Sequence, residues 1–234
     1  MSASEGAPPR RGPGPGASLG VTSSAAADLH PGWRGGWWRA ASRCPSPNFG
    51  PRPGRQQPTL AIVHAISLPP GEYGGDFIER LFTNRLDWDA HPYFQQIRGL
   101  EVSSHFVIRR DGALQQFVSC AQRAWHAGRS SWQGRDNCND YSVGIELEGL
   151  EGETFDARQY PALAELLSAL AARYPISTVV GHEHVAPGRK IDPGPGFDWA
   201  RLRADLGVAA ALQGGWEFPE WPSGKGVDPA ALAP

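Results

Sequence analysis

The sequence predicts an α/β fold in which helices pack on a mixed β-sheet within a single domain. Short apolar runs typical of buried strands are interspersed with segments of helical periodicity, and one Asp-Gly pair between two strand-like runs indicates an antiparallel hairpin. The chain has 234 residues, of which 40% are hydrophobic and 20% charged, so it can bury one core of ordinary size.

Composition divides the chain into three parts. Residues 1–35 are a low-complexity run of Gly, Pro, Ala, Ser and Arg, which predicts a disordered extension because few large apolar side chains are available. We expect the folded domain at residues 36–207 and a C-terminal tail at residues 208–234. The aromatic residues of that tail that can pack on the domain are Trp216, Phe218 and Trp221.

The first half of the predicted domain begins with an extended, proline-rich segment at residues 36–58, laid across the domain surface. The apolar run 60–64 predicts a buried strand, and residues 76–82 predict a helix. Strand-like runs at 104–109 and 114–118 flank Asp111-Gly112, the strongest hairpin signal in the chain.

Residues 141–148 alternate in polarity. Val143, Ile145 and Leu147 share one face of the predicted strand, whereas Gly144, Glu146 and Glu148 share the other. We therefore expect a half-buried strand that presents two carboxylates on its second face.

The remaining elements complete the sheet and its cover. Large residues recur at three- and four-residue steps from Tyr160 to Tyr174, which predicts an amphipathic helix against the sheet, with Pro161 in its first turn. Residues 176–181 predict another strand, and residues 198–206 a helix capped by Asp198.

Charge and hydropathy exclude several classes of partner. The chain has a formal net charge of −2, of which residues 1–58 contribute +5 and the remaining residues −7. The negatively charged remainder has no general electrostatic attraction for nucleic acid or an anionic membrane. No apolar stretch approaches the ~18 residues of a membrane span, and no secretory signal is evident, so we expect a cytoplasmic protein. Three widely spaced cysteines predict reduced thiols.

Two histidines and one aspartate form a candidate metal site. His64 and His182 each end a predicted strand, and Asp192 follows ten residues after His182. Two imidazoles and one carboxylate are a ligand set of hydrolytic zinc sites, which keep a fourth position for water. Taken singly, a histidine is more often a surface or hydrogen-bonded residue than a metal ligand.

Two further residues are candidates for catalysis. Glu146 becomes a general base if its face of the strand looks toward the metal; otherwise it is a solvent-facing residue. Lys190 is one of two lysines in the chain, and in an extended loop its side chain points the same way as that of Asp192. A lysine beside a metal stabilises an oxyanion, although a surface lysine in a Gly- and Pro-rich loop explains the position equally well.

Six segments give the sequence a resemblance to a known family. They read IVHAISLPPG at 62–71, SSHFVIRRDG at 103–112, RAWHAG at 123–128, GIELEG at 144–149, GH at 181–182 and RKIDPGP at 189–195. Because these segments occur in this order, the chain resembles the zinc-dependent N-acetylmuramoyl-L-alanine amidases of the AmpD type, which recycle 1,6-anhydro-muropeptides in the cytoplasm.

The resemblance implies a role for each candidate. His64, His182 and Asp192 fall on the family's ligands for one zinc ion per chain. Glu146 falls on the catalytic carboxylate and Lys190 on the lysine that stabilises the transition state. Trp125 and His126 match a motif near the site. These two residues either form a wall of the sugar pocket or serve ordinary packing, and both roles remain open.

The sequence departs from the family at several positions. Ala65 replaces a frequent Asn after the first ligand, Asn137 stands where Arg is usual, and Glu101 stands where a basic residue is common. These changes bear on substrate contacts more than on catalysis. His184, two residues after His182, is expected to be a neighbour of the site or exposed, and not a ligand.

The function implied is hydrolysis of the amide between the lactyl group of (1,6-anhydro)-N-acetylmuramic acid and L-alanine. An amidase that acts on polymeric peptidoglycan and a recognition module that binds muropeptide without cutting it are the alternatives. We expect an anhydro-muropeptide substrate and no nucleic-acid, membrane or obligate protein partner.

Overall fold

The structure, a computed structural model, describes residues 30–210 and 215–219. Its strands are β1 (Trp33–Arg34), β2 (Trp37–Trp38), β3 (Ser42–Arg43), β4 (Phe49–Pro51), β5 (Leu60–Ile66), β6 (Phe106–Ile108), β7 (Leu114–Gln116), β8 (Gln122–Ala124), β9 (Ser131–Trp132), β10 (Arg135–Asp136), β11 (Ser142–Glu148) and β12 (Thr178–Gly181). Its α-helices are α1 (Phe77–Phe82), α2 (Gln159–Arg173), α3 (His182–Val185) and α4 (Trp199–Ala210), and 3₁₀ helices lie at Pro53–Arg55, Pro92–Ile97 and Cys138–Asp140.

A six-stranded sheet organises the domain, in the order β12-β5-β11-β6-β7-β3. The pairs β12–β5, β5–β11 and β11–β6 are parallel, whereas β6 and β7 are antiparallel. The prediction of a mixed sheet with packed helices is therefore confirmed.

The predicted hairpin is the antiparallel pair in that sheet. Phe106 pairs with Gln116 and Ile108 with Leu114, so β6 and β7 are shorter than the predicted strands. The turn between them contains Gly112 at a φ of 87°, a left-handed conformation that glycine adopts at little steric cost.

Helices α2 and α4 cover one face of the sheet. Leu163 and Leu167 of α2 are fully buried and belong to the same apolar cluster as Val143, Ile145 and Leu147 of β11. The backbone N–H of Arg201 donates to Oδ1 of Asp198, 2.9 Å away, which confirms the predicted cap of α4. The helix runs to Ala210, beyond the predicted end at residue 206 and the predicted domain boundary at 207.

Strand β11 differs from the prediction of a half-buried strand. All seven of its residues are buried, because the second face is covered by side chains and loops instead of by solvent. Glu148 shows how a carboxylate is accommodated there: it pairs with Arg109 at 3.1 Å and accepts hydrogen bonds from the backbone N–H groups of Gly74 and Arg110.

The N-terminal boundary also differs from the prediction. Trp33, inside the expected extension 1–35, is only 3% exposed and stacks on Trp38 in the main core. Segment 36–58 does more than cross the surface, since it supplies β3 to the edge of the sheet and buries Arg52. Residues 1–29 of the predicted extension lie outside the described residues.

The C-terminal segment is partly described. Trp216 and Phe218 pack against the main apolar cluster, and the backbone N–H of Val179 donates to the carbonyl of Glu217, 3.0 Å away. Docking of these two aromatics is therefore observed, whereas Trp221 lies outside the described residues. Cys44, Cys120 and Cys138 are all free thiols, as predicted. Within residues 30–210 and 215–219, no helix combines the length and the apolar character needed to cross a bilayer.

Candidate metal centre and active site

Strands β5 and β11 place His64 and Glu146 side by side. The two residues are register partners in the parallel pair, and partners on adjacent strands project from the same face. Ala61 and Val63 of β5 pack toward α2, so His64 projects from the opposite face. The alternation of β11 does the same for Glu146, which lies opposite Ile145 and Leu147 as predicted.

His182 and Asp192 come from the neighbouring edge of the sheet. His182 follows directly on β12, so it begins α3 at the carboxyl end of the strand that pairs with β5. The loop after α3 returns Asp192 to the same place, where its backbone carbonyl accepts a hydrogen bond from the N–H of Glu183 at 2.9 Å. Carboxyl ends of adjacent parallel strands are where α/β folds commonly build their sites.

The three candidate ligands converge as a compact, buried triangle. Nδ1 of His64 lies 3.0 Å from Nδ1 of His182 and 3.1 Å from Oδ2 of Asp192, and Nδ1 of His182 is also 3.1 Å from that oxygen. Each of these residues is less than 5% exposed. Among the described residues, this is the group whose donor atoms are close enough together to hold one metal ion.

The donor set fits zinc. Tetrahedral ligands at about 2.0–2.1 Å from one zinc ion are about 3.3 Å apart, close to the separations in this triangle. The far nitrogen of each histidine has its own partner: Nε2 of His182 is 3.1 Å from the carbonyl of Ala127, and Nε2 of His64 is 2.9 Å from Nδ1 of His126. Both Nδ1 atoms are thereby left to face the triangle.

The electrostatics of the triangle favour a neutral imidazole and an ionised carboxylate. Burial, reinforced by neighbouring His182, lowers the pKa of His64 to about 4. Burial alone would raise the pKa of Asp192, but hydrogen bonds from His182 and His64 outweigh it and hold that pKa below its ordinary value. These are the protonation states that metal binding requires.

Glu146 and Lys190 are two further charged groups beside the triangle. Burial, and secondarily the charge of Asp192, raises the pKa of Glu146 well above its ordinary value, so this carboxyl group readily holds a proton. Lys190 is exposed and lines the same cavity as Glu146 and Asp192. The loop geometry thus places positions 190 and 192 at one site, as the sequence predicts.

A cavity of about 260 Å³ opens above the triangle. Its lining includes the three candidate ligands, Glu146 and Lys190. It also includes six large apolar or aromatic residues, Leu68, Tyr93, Ile97, Leu100, Trp125 and Leu150. Trp125 and His126 both line the cavity and are half-buried, so both are accessible to a ligand, although His126 also contacts His64.

Of the three departures from the family pattern, the structure places one at the site. Ala65 lines the cavity beside His64, whereas Glu101 and Asn137 are exposed residues outside its lining. His184 is outside the ligand group, as expected: its Nδ1 accepts a hydrogen bond from the N–H of Gly181, and its ring packs edge-on against Trp199.

Three contributors to the site were not predicted from the sequence. Tyr93 and Ile97 come from a 3₁₀ helix that begins at Pro92, and Pro directly after the capping residue His91 is the signal that would have revealed it. The carbonyl of Ala127, which holds His182, has no sequence signal, because every residue type carries a carbonyl.

The comparisons with known proteins agree with this geometry. The sequence model of the Amidase_2 family, N-acetylmuramoyl-L-alanine amidase, matches residues 54–195. The chain is 53% identical over 171 residues to the 1,6-anhydro-N-acetylmuramyl-L-alanine amidase AmpD of Citrobacter freundii, covering 72% of this chain and 91% of that protein. It is 52% identical over 170 residues to the same enzyme of Escherichia coli K12, covering 72% and 93%.

A solved structure extends the likeness to the fold. The crystal structure of a selenomethionine derivative of AmpD superposes with a TM-score of 0.73 at 52% identity, covering 74% of this chain and 98% of that one. Family match, sequence identity and fold therefore agree, and the chain belongs to the N-acetylmuramoyl-L-alanine amidase family.

Proposed function

We propose that this chain hydrolyses the amide between the lactyl group of 1,6-anhydro-N-acetylmuramic acid and L-alanine in soluble muropeptides, as a cytoplasmic step of peptidoglycan recycling. The observation that carries the proposal is the buried triangle of His64, His182 and Asp192, with Glu146 on the same face of the sheet. The similarity to AmpD relatives that are 1,6-anhydro-N-acetylmuramyl-L-alanine amidases supports this choice of substrate.

His64, His182 and Asp192 are the residues that would hold one zinc ion per chain. Bound zinc supplies a Lewis acid, which polarises a carbonyl and makes water a stronger acid. The three side chains bring one negative charge, from Asp192, and two neutral nitrogens, so the site keeps a net positive charge when it is loaded.

Glu146 moves the proton in this proposal. The carboxylate accepts a proton from the attacking water while the water oxygen bonds to the lactyl carbonyl carbon. The bond between that carbon and the alanine nitrogen then breaks, and Glu146 returns the proton to the leaving amine. A buried carboxyl group whose pKa is raised suits both halves of this transfer.

Lys190 stabilises the negative charge that develops on the carbonyl oxygen. Its ammonium group lines the cavity with Glu146 and Asp192, so it is available on the side where the carbonyl is attacked. It also draws the pKa of Glu146 downward, which helps this carboxyl group start as the base.

The apolar residues of the cavity bind the sugar in this proposal. Trp125 supplies an aromatic ring of the kind that carbohydrate C–H groups pack against, and Tyr93 and Leu100 line the same cavity. His126 lines it too and contacts His64.

The test compares two substrates at equal concentrations of cleavable bonds. Zinc-loaded protein is incubated with 1,6-anhydro-muramyl tripeptide and with purified sacculi, and release of the stem peptide is followed by liquid chromatography. We expect the soluble substrate to be cleaved at least tenfold faster. Comparable rates would favour an amidase of polymeric peptidoglycan, and binding of the soluble substrate without cleavage would favour a recognition module.

A further inference from the structure

His126 contacts the metal ligand His64 on the side away from the triangle. We propose that His126 is a positioning residue, which fixes the orientation of the His64 ring and the nitrogen on which it carries its hydrogen. The proposal rests on the proposed function only in taking the triangle as the zinc site. It goes beyond a substrate contact, because it predicts an effect on metal affinity without any substrate present.

The hydrogen bonds around His126 run in one direction. Nδ1 of His64 lies 3.0 and 3.1 Å from the other two donors, so with zinc held by the triangle this nitrogen would offer its lone pair to the metal and carry its hydrogen on Nε2. Nε2 then donates to Nδ1 of His126, 2.9 Å away, with the two rings nearly perpendicular at 88°. The hydrogen of His126 consequently lies on its Nε2, which donates to Oγ of Ser142 at 3.2 Å. Both nitrogens of His126 are used in a single consistent direction.

The His126 ring packs directly against the backbone of Gly144. A Cβ atom added to Gly144 would lie 2.5 Å from Cγ and 2.6 Å from Nδ1 of His126, so the ring lies where any larger residue at 144 would clash. The backbone of this segment is held by Asn139, whose Oδ1 accepts hydrogen bonds from the backbone N–H groups of His126 and Ala127, at 3.2 and 2.8 Å. Backbone and ring are therefore each held by separate contacts.

The second histidine of the triangle, His182, is held in a comparable way. Nε2 of His182 donates to the carbonyl of Ala127, the residue next to His126. Two consecutive residues thus hold the far nitrogens of both histidine ligands. His182 is held by a backbone carbonyl that no substitution removes, whereas His64 is held by a side chain. This difference makes the proposal testable.

Partners that orient a metal-binding histidine contribute to affinity. Removing one typically costs 10–100-fold in metal affinity or activity, because the ring must then be ordered by the metal itself. The same loss is expected here for His64.

The main experiment measures zinc affinity by competition with a chromogenic chelator for the wild type, His126→Leu and His126→Asn. Leu cannot accept the hydrogen bond, so we expect its affinity to fall about 10–100-fold. The side-chain oxygen of Asn stands close to the position of Nδ1 and restores an acceptor, so His126→Asn is expected within a few-fold of the wild type. His91→Leu is the matched control, since the ring of His91 accepts from the backbone N–H of Tyr93 instead, and its zinc affinity is expected to be unchanged.

Two further readouts separate positioning from general structural damage. Thermal melting of the zinc-free proteins reports on folding alone. The proposal would be overturned if the Leu and Asn variants lost zinc affinity equally and if these losses followed lowered melting temperatures. Long-range ¹H–¹⁵N spectra of the zinc-loaded wild type need no variant: a hydrogen on Nε2 of His64 supports the proposal, and a hydrogen on Nδ1 overturns it.

The outcomes also distinguish this proposal from the proposed function. Tight zinc binding by the wild type together with unchanged affinity in folded His126→Leu would overturn the positioning role and leave the amidase proposal intact. A wild type that binds no zinc would overturn both.

Discussion

Glu146 and His64 are register partners on adjacent parallel strands, and both project from the face of the sheet that α2 leaves uncovered. The separation of one strand spacing puts a buried carboxyl group beside a candidate metal ligand without making it a member of the triangle. In the proposed mechanism, metal binding and proton transfer therefore belong to different side chains, so the two can be separated by substitution.

Replacing Glu146 tests that separation. Glu146→Gln keeps the size of the side chain but cannot accept a proton from water, so kcat is expected to fall about 10²–10⁴-fold while zinc content stays at one per chain. Elemental analysis and steady-state kinetics on the same sample provide the measurement. Asp192→Ala is the contrasting variant, in which metal and activity should be lost together. A Glu146→Gln protein with nearly wild-type turnover, or one that purifies without zinc, would remove Glu146 from the proposed mechanism.

Lys190 is expected to act on the transition state and not on metal binding. Lys190→Ala should lower kcat about 10²–10³-fold with little change in zinc content, because the charge that stabilises the oxyanion is gone. Arg158→Ala provides a control for loss of an exposed cation, since Arg158 pairs with Asp156 on the surface. If the Lys190 and Arg158 variants turn over substrate equally fast, the lysine has no catalytic role.

The corrected N-terminal boundary gives a stability prediction. Deleting residues 1–29 should leave the melting temperature unchanged, whereas deleting residues 1–35 also removes Trp33 from the core. Loss of a buried Trp side chain costs about 3–5 kcal/mol, which corresponds to about 10 °C in a protein of this size. Differential scanning calorimetry of both truncated chains checks it. Equal melting temperatures would mean that Trp33 contributes nothing to stability.

His105 predicts how stability depends on pH. Burial, together with the nearby Arg52 guanidinium, lowers the pKa of His105 to about 3, while its Nδ1 accepts a hydrogen bond from the N–H of Gly144. The unfolded chain therefore binds this proton near pH 6.5 and the folded chain only near pH 3, so the free energy of unfolding falls as the pH is lowered between these values.

Chemical denaturation of the zinc-free protein across that range isolates the effect. His105→Asn keeps an acceptor for Gly144 but does not titrate, so its free energy of unfolding should fall less steeply from pH 6.5 to pH 3 than that of the wild type. Parallel slopes for the two proteins would show that His105 does not contribute to acid sensitivity.

The parts of the fold that follow from local pattern were predictable. The hairpin at Asp111-Gly112 follows from turn chemistry, and helix α2 follows from the 3.6-residue periodicity of its apolar residues. Both signals act within a few residues. Burial of Trp33 and Arg52 was not predictable in this way, because both are held by distant partners: Trp33 by Tyr174, and Arg52 by the backbone carbonyls of Cys120 and Ser142.

The candidate site shows the same division. Strand-end positions made His64 and His182 candidates, and alternation placed Glu146 on the correct face. The pairing of His126 with His64 depends on the loop after β8 meeting strand β5 in space, and nothing in the spacing of 62 residues between them indicates it. Glu146 was expected on a half-open face and is instead buried, since loops that periodicity does not describe cover that face.

The most direct test of the central claim identifies the products of the reaction and their dependence on zinc. The protein is stripped with a chelator, divided, and assayed on 1,6-anhydro-muramyl tripeptide with and without one equivalent of zinc, with products identified by mass spectrometry. We expect free 1,6-anhydro-N-acetylmuramic acid and an intact peptide that begins with L-alanine, both formed only after zinc is restored. Cleavage at a different amide, or equal turnover by the stripped protein, would contradict it.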